Sequence, residues 1–399
     1  MNLIKKTAFR TYQTVFKLAI PVLPYRSPEI LDSVQKLPAV FQEKGIERIL
    51  LVTDRYLHES GMLEPLKKVL SDYNICCTIY DETVPNPTVA NVEAARDLYQ
   101  KKDCQALIGF GGGSAIDCAK AVGARIARPD LSIPQMKGIL KIMRKIPFLV
   151  AIPTTAGTGS ETTLATVITD SQNAHKFPIN DFNLIPRVAV LDAEMTRTLP
   201  PSLTATTGMD ALTHAIEAYI GRSTVKQTRA DALEAARLIA ENLENAYRDG
   251  DDMTARANML QAAFLAGRAF TKSYVGYCHA VAHSLGGKYH IPHGLANAVL
   301  LPYVLETYGS SIYRKAKDLA VAMHLAGAET DEETAAKRLI AHIRKMNRDM
   351  GIAEKLAGIQ KGDIPRLAAY AEKEANPLYP VPVLMTKKEL ERFYYDVME

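Results

Sequence analysis

The chain has 399 residues, of which 47% are hydrophobic and 23% charged, a composition typical of globular proteins and unlike that of disordered ones. This length exceeds what one hydrophobic core usually organises, so the sequence predicts two domains. The formal net charge is only +4, and the basic clusters at 137–145 and 338–348 lack interleaved aromatic residues, which argues against nucleic-acid binding.

The cysteine pattern and the hydropathy favour a soluble, cytoplasmic protein. The five cysteines are odd in number and form no CxxC pair, so neither a disulfide framework nor a thiolate zinc site is indicated. No segment approaches the roughly 18 apolar residues of a membrane helix. Lys17, Pro21 and Pro24 interrupt the apolar residues after the basic N-terminus, which argues against a signal peptide. We therefore expect a reducing compartment and no association with a membrane.

The first half of the chain alternates between helical and strand patterns. Ser27-Pro28-Glu29 resembles a helix start and predicts a helix over the following residues to Gly45, with Pro38 as a point where it can break. Strand candidates separated by helical segments follow at 48–53, 76–80, 106–110 and 147–155. Short buried strands separated by helices predict a parallel sheet covered on both faces.

The pattern changes after Leu199-Pro200-Pro201. Long alanine- and leucine-rich helical segments follow, without a convincing strand. We place a domain boundary near residue 195. The prediction is an α/β dinucleotide-binding domain over 1–195 and an all-α metal-binding and catalytic domain over 196–399.

A glycine-rich loop, GFGGGSAID (109–117), lies between a predicted strand and a predicted helix. Glycines let backbone N–H groups approach a ligand closely, and the start of a helix favours an anion such as pyrophosphate. The spacing is not GxGxxG, and the absence of a following GKS or GKT excludes a Walker A loop. The alternative is an ordinary tight turn between strand and helix.

Two further features favour a dinucleotide over that alternative. TTAGTGSE (154–161) follows the fourth strand candidate and adds hydroxyls and glycines at the carboxyl edge of the sheet, where ligands bind in open α/β folds. Asp54 ends the first strand candidate, where its carboxylate can accept hydrogen bonds from a ribose and repel a 2′-phosphate. We therefore predict NAD over NADP, although Asp54 could also be a surface turn residue beside Arg55.

The segment HAVAHSLGGKYHIPHG (279–294) contains four of the nine histidines in the chain. Three close pairs of ligand-type residues stand out: Asp210 with His214, His279 with His283, and His290 with His293. The first two pairs are four residues apart in predicted helices, so each presents both side chains on one face. Imidazole and carboxylate without thiolate suit Fe(II) or Zn(II), and three imidazoles with one carboxylate leave a position open for substrate. Spacing alone leaves open which histidines bind and which metal is native.

A dinucleotide fold joined to a Lewis-acid site predicts an oxidoreductase. The cation would stabilise an alkoxide at a metal-bound oxygen, and hydride could then pass to the nicotinamide. The predicted reaction interconverts small alcohols and aldehydes.

Four motifs carry a more specific resemblance: GFGGGSAIDCAKAVG, PTTAGTGSE, LDAEMTRTLPPSLTATTGMDALTHAIEAY and HAVAHSLGGKYHIPHGLANAVLLP. From roughly residue 27 to the C-terminus the chain resembles the iron-containing (group III) alcohol dehydrogenases. The resemblance implies a dehydroquinate-synthase-like architecture, with an N-terminal NAD-binding α/β domain, a C-terminal helical domain and the active site in the cleft between them. A homodimer or higher homo-oligomer is also implied.

The resemblance assigns roles to individual residues. It implies that the metal ligands are Asp210, His214, His279 and His293. His283 is then a non-ligand near the nicotinamide that helps proton transfer, and His290 supports its loop. Lys176 matches a lysine near the nicotinamide in relatives, the alternative being a plain surface lysine. The implied NAD contacts are Asp54, Asn86, Gly112, Gly113, Ser114, Asp117, Thr154, Thr155 and Thr158.

Three alternatives stay open at this point. A glycerol- or diol-type polyol dehydrogenase of the same superfamily, usually zinc-dependent, is the nearest one. A dehydroquinate-synthase-like lyase would need converging cations for a phosphorylated substrate, and 260–300 offers only Arg268, Lys272 and Lys288. A non-enzymatic metal- or nucleotide-binding module would bind NAD without turnover.

Overall fold

The computed structural model describes residues 1–170 and 175–399, which form two compact units. An α/β unit comprises Pro24–Leu199, and a helical unit comprises Met1–Leu23 together with Pro200–Glu399. The predicted range 1–195 assigned the first 23 residues to the α/β domain, whereas the structure groups them with the helical unit. Among the described residues, every helix is either too short or too polar to span a lipid bilayer.

Helix α1 (Leu3–Ala19) explains the position of the N-terminal residues. The buried Gln13 amide donates to the backbone oxygens of Pro377 and Tyr379. The Arg10 guanidinium donates to the backbone oxygens of Val381 and Pro382. These partners lie far along the chain, so no local pattern around residue 10 could indicate them.

The α/β unit has nine described strands and five α-helices. Its strands are β1 (Glu29–Leu31), β2 (Arg48–Val52), β3 (Cys76–Tyr80), β4 (Ala106–Gly111), β5 (Gly138–Ile139), β6 (Phe148–Pro153), β7 (Ala165–Asp170), β8 (His175–Asn180) and β9 (Val188–Val190). Its helices are α2 (Leu37–Glu43), α3 (Arg55–Glu59), α4 (Glu64–Asp72), α5 (Val89–Lys101) and α6 (Gly113–Ala127).

Six strands form one sheet in the order β1-β9-β6-β4-β2-β3, and every neighbouring pair is parallel. The predicted parallel sheet is thus confirmed, with the four predicted strands as β2, β3, β4 and β6. A second sheet has the order β5-β8-β7, in which β8 pairs antiparallel with β7. The sequence did not indicate this second sheet.

The six-stranded sheet is buried on both faces. Along β2, Ile49 and Leu51 belong to one hydrophobic cluster, while Leu50 and Val52 belong to another. Successive side chains of a strand point to opposite faces, so these alternating residues pack against helices on the two sides of the sheet. This arrangement explains why the strand is apolar throughout rather than alternating with polar residues.

The prediction that a helix begins directly after Ser27 is wrong. Residues 29–31 form β1, which pairs in parallel with Val188–Val190 of β9. The helix α2 begins only at Leu37, and Pro38 lies in its first turn. Proline is favoured there because the first helical N–H groups have no intrahelical acceptor. Pro38 therefore starts this helix instead of breaking it.

The helical unit contains no β-strand among its described residues. Besides α1, its helices are α7 (Pro201–Ile220), α8 (Lys226–Arg248), α9 (Met253–Ser273), α10 (Tyr277–Tyr289), α11 (His293–Tyr308), α12 (Tyr313–Ala322), α13 (Glu332–Asp349), α14 (Ile364–Ala375) and α15 (Lys387–Val397). Side chains that matter for the candidate site come mainly from α7, α10 and α11.

Candidate functional site

Three helices of the helical unit bring the four predicted metal ligands together. Asp210 and His214 lie one turn apart on α7, His279 lies in the first turn of α10, and His293 opens α11. One ligand atom from each of these residues lies within 4.8 Å of the others. The Nε2 atoms of His279 and His293 are 3.7 and 3.5 Å from Asp210 Oδ1. Groups this close can share one ion.

The close approach of α11 to α7 depends on a glycine beside His293. A Cβ atom on Gly294 would lie 2.3 Å from the backbone oxygen of Thr206, which no side chain permits. Gly294 therefore lets the start of α11 reach the part of α7 that carries Asp210.

The cluster is buried on all but one side. The side chains of Asp210 and His279 are 3% and 2% exposed, whereas that of His293 is 38% exposed. His214 is buried, and its ring stacks on Phe270 at a centroid distance of 4.2 Å. A small molecule can therefore approach the cluster from the side of His293.

The donor set fits a divalent cation. His279 Nε2 is buried and has no hydrogen-bond partner among the described residues, although a buried nitrogen without a partner is costly. Burial, together with the neighbouring imidazoles of His214, His293 and His283, lowers the pKa of His279 well below its usual value. The ring is therefore neutral, which is the form that binds a metal. A cation among the four groups would satisfy the lone pair of Nε2.

Two residues that contact the predicted ligands, Glu217 and Asn297, were not predicted from the sequence. Glu217 lies on α7, and its carboxylate is 2.6 Å from His279 Nδ1. Burial raises the pKa of Glu217 to about 7, and backbone hydrogen bonds to Gly276, Cys278 and His279 oppose that rise. Asn297, buried on α11, donates through Nδ2 to Asp210 Oδ1 at 2.7 Å.

Helical spacing could have indicated both of these residues. Glu217 is seven positions after Asp210, and Asn297 is four after His293, so each lies on the same helix face as a predicted ligand.

The other two histidines of the motif have different surroundings. His283 Nδ1 lies 2.6 Å from Glu374 Oε1, to which Tyr379 also donates, and its ring stacks on that of His293 at 5.1 Å. His290 ends α10 in the left-handed conformation, with φ +57°, outside the four-residue cluster.

The two predicted nucleotide loops lie in contact within the α/β unit, after β4 and β6. Helix α6 begins at Gly113, and its N-cap residue, Gly112, provides no capping side chain, so backbone N–H groups are available to an anion. A Cβ atom on Gly113 would lie 2.9 Å from Thr158 Cγ2, and one on Gly112 would lie 3.5 Å from Thr155 Cγ2. The structure thus places the glycine loop directly against the threonine loop.

Lys176 is joined to this region by hydrogen bonds. Its Nζ donates to Asn86 Oδ1 at 2.7 Å, and the Asn86 N–H donates to Ser114 Oγ at 3.2 Å. Asn86 adopts φ +60°, a conformation that asparagine tolerates better than most residues. Burial lowers the pKa of Lys176. Three residues from separate segments therefore form one polar chain beside the start of α6.

The remaining predicted NAD contacts differ in how many of their side-chain atoms already form hydrogen bonds within the protein. Asp54 caps α3 by accepting the Leu57 N–H at 2.9 Å through Oδ1, and its Oδ2 faces Gly111. Thr154 is buried. The Asp117 carboxylate accepts Ser160 Oγ–H at 2.5 Å and the Val167 N–H at 2.8 Å, so both oxygens are engaged by the protein. Asp117 fastens α6 to the threonine loop and β7.

Comparisons with known proteins cover both units. Residues 31–193 match the family described as iron-containing alcohol dehydrogenase, and residues 204–398 match the C-terminal region of the Fe-containing alcohol dehydrogenase family. Together these matches span most of the chain.

Individual relatives give the same picture. Alcohol dehydrogenase 4 of Saccharomyces cerevisiae is 40% identical over 88% of this chain and 90% of its own length. The NAD-dependent methanol dehydrogenase of Bacillus methanolicus is 35% identical over 85% of this chain and 89% of its own. The crystal structure of a 1,3-propanediol oxidoreductase superimposes with a TM-score of 0.90 at 35% identity, covering 94% of this chain and 99% of that one.

Proposed function

Because this chain belongs to the iron-containing alcohol dehydrogenase family, whose members use NAD and iron, we propose that Asp210, His214, His279 and His293 hold the iron of its active site. The enzyme is an NAD-dependent alcohol dehydrogenase that interconverts small primary alcohols and aldehydes. The observation that carries the ligand assignment is the buried, unpartnered Nε2 of His279, which faces a carboxylate and two further imidazoles. Zn(II) is the alternative metal for such a donor set.

A bound divalent cation supplies a Lewis acid that acidifies the alcohol hydroxyl, and NAD supplies the hydride acceptor. The protein prepares for this chemistry in two ways. Burial keeps the His279 imidazole neutral and ready to donate its lone pair. The Asn297 amide holds the Asp210 carboxylate through Oδ1, which fixes the one anionic ligand. The exposed side of His293 admits the small substrate.

We assign proton transfer to His283. Its Nδ1 is held by the Glu374 carboxylate and its ring stacks on that of His293, so a group that can exchange a proton near neutral pH lies beside the ligand set. Tyr379 donates to the same carboxylate oxygen and restricts where it can move. This arrangement supports a role for His283 beside the ligands and not among them.

For the coenzyme, we propose that backbone N–H groups at Gly112, Gly113 and Ser114 bind the pyrophosphate, with the hydroxyls of Thr155 and Thr158 alongside. Lys176, Asn86 and Ser114 supply the polar chain next to this loop. Asp54 accepts from the adenosine ribose and disfavours NADP.

We further propose a cytoplasmic location and a homodimeric or larger assembly. All five cysteines are free, as a reducing compartment requires. A diol substrate is a second candidate, favoured by the similarity to a 1,3-propanediol oxidoreductase.

The test is a coenzyme-linked assay of the iron-loaded and the zinc-loaded protein with short alcohols, diols and aldehydes, together with elemental analysis. We expect NADH oxidation with short aldehydes and about one metal ion per chain. His293→Ala should lose both the metal and the activity, because a ligand is removed. His290→Asn is the matched control, since it removes a neighbouring imidazole and retains a residue that tolerates φ +57°. Turnover and metal content like wild type in His293→Ala would rule out the ligand set.

A further inference from the structure

This inference rests on the proposed metal site. The geometry assigns Glu217 as a positioning residue, which holds His279 in the orientation and tautomer needed to bind a cation through Nε2. Glu217 is not itself a predicted ligand. It acts on the opposite nitrogen of the ring, where its Oε2 lies 2.6 Å from His279 Nδ1.

The carboxylate accepts hydrogen bonds from three N–H groups. Oε2 accepts the Gly276 N–H at 2.7 Å as well as His279 Nδ1–H, and Oε1 accepts the Cys278 N–H at 2.8 Å. Both carboxylate oxygens already accept backbone N–H groups, so Glu217 acts as an acceptor towards Nδ1, and the imidazole carries its proton on Nδ1. The lone pair is then on Nε2, which faces Asp210 and has no hydrogen-bond partner in the described parts of the chain. The tautomer of His279 is therefore set by Glu217.

The same contacts also fix where His279 lies. Glu217 is 3% exposed on α7, three positions beyond His214, and its partners are the N-cap and first turn of α10. One side chain thus ties the helix that carries Asp210 and His214 to the helix that carries His279. A negative charge at the start of α10 is also favoured by the helix dipole.

Gly276 shows that the backbone is built around this carboxylate. A Cβ atom at position 276 would lie 2.5 Å from Glu217 Oε1 and 3.0 Å from its Cδ. Any residue larger than glycine at position 276 would therefore force the Glu217 carboxylate to move. Gly276→Ala consequently provides an independent way to displace Glu217 without altering it.

Charge gives a further reason for a carboxylate at this position. Asp210 and Glu217 are buried carboxyl groups that face the two nitrogens of the His279 ring, and a divalent cation in the cluster would offset the cost of burying their charge. Metal-ligating histidines commonly donate their other N–H to a carboxylate, and losing that partner typically weakens metal binding about 10- to 100-fold.

The competing explanation is that Glu217 only caps α10 and stabilises the fold. The two explanations differ in their effect on metal binding, so affinity for Co²⁺ is the deciding measurement, with the visible absorption of bound Co²⁺ as a spectroscopic record of its geometry. The full-length protein is stripped of metal with a chelator and titrated with Co²⁺ alone, and its melting temperature is recorded without metal.

In Glu217→Gln, one oxygen becomes an NH₂ group, which can donate to Nδ1 and move the ring proton to Nε2. We expect the dissociation constant for Co²⁺ to rise about 10- to 100-fold, with an altered Co²⁺ spectrum. Gly276→Ala should show the same weakening. Asp81→Asn is the matched control, because it makes the same carboxylate-to-amide change 2.6 Å from Nδ1 of His58, a histidine outside the cluster, and its Co²⁺ affinity should stay within twofold of wild type.

A Co²⁺ affinity within twofold of wild type in folded Glu217→Gln or Gly276→Ala, whatever the change in melting temperature, would overturn this role for Glu217. If the wild-type protein itself fails to bind Co²⁺, the ligand assignment of the proposed function fails, and the present inference fails with it. The first outcome leaves the ligand assignment intact, so the two failures are distinguishable.

Discussion

The candidate metal cluster and the predicted nucleotide loops are built from different parts of the polypeptide. The cluster uses side chains that reach inward from α7, α10 and α11, held by neighbouring carboxylate and amide groups. The loops present mainly backbone N–H groups, which are accessible because Gly112 and Gly113 have no side chain. The difference predicts opposite sensitivities. The cluster should fail when a side chain is removed, and the loops should fail when one is added.

The largest expected effect tests the first half of this comparison. His279→Ala removes a predicted ligand, so we expect the bound metal to be lost and turnover to fall by at least about 10³-fold. The affinity for NAD, measured by titration calorimetry, should change by less than about twofold. A large loss of NAD affinity would show that the two sites are not built independently.

A smaller effect is expected when a side chain is added to the loops. In Gly113→Ala the new methyl group would meet Thr158 Cγ2 at 2.9 Å, so the start of α6 or the threonine loop must shift. We expect the dissociation constant for NAD to rise about 10- to 100-fold, or about 1.4 to 2.8 kcal/mol, with unchanged metal content. Gly287→Ala is the control, since a Cβ atom there meets nothing within 4 Å. Wild-type NAD affinity in Gly113→Ala would contradict the backbone model of this site.

The smallest expected effect is a change in coenzyme preference on substitution of Asp54, which lies beside the glycine-rich loop. Asp54→Asn removes the charge but keeps an oxygen that can cap α3, so coenzyme preference should shift towards NADP by about tenfold with little change in stability. Asp54→Ala should shift the preference similarly and also lower the free energy of unfolding by about 1 kcal/mol, because the cap is lost. Kinetics with both coenzymes and urea unfolding separate the two contributions. An unchanged preference in both variants would show that Asp54 does not discriminate between the coenzymes.

The same comparison explains how much could be predicted from the sequence. The pair Asp210 and His214 and the pair His279 and His283 follow helical spacing, and spacing is visible in a single sequence. The resemblance then selected four residues that the structure brings within 4.8 Å of one another. Glu217 and Asn297 were not predicted, because a single carboxylate or amide on a helix indicates no function until its hydrogen-bond partner is known.

In the α/β unit, the sequence predicted β2, β3, β4 and β6 of the parallel sheet, but neither its strands β1 and β9 nor the second sheet. Strands β1 and β9 have three residues each and are stabilised by pairing across more than 150 residues of sequence. Such pairing overrides the helix-start pattern at Ser27-Pro28-Glu29. Asp117 was predicted to contact NAD, but its carboxylate accepts hydrogen bonds from Ser160 and Val167. Those partners lie on other segments and are known only from the folded chain.

The docking of α1 has a consequence for how the protein forms during translation. Arg10 contacts the backbone of Val381, 371 positions later, whereas all of the α/β unit lies in one uninterrupted stretch. A ribosome adding about 5 to 20 residues per second needs roughly 20 to 70 s to cover that distance. The nascent α/β unit can therefore assemble first, whereas α1 can dock only after its acceptors at Val381 and Pro382 have been synthesised.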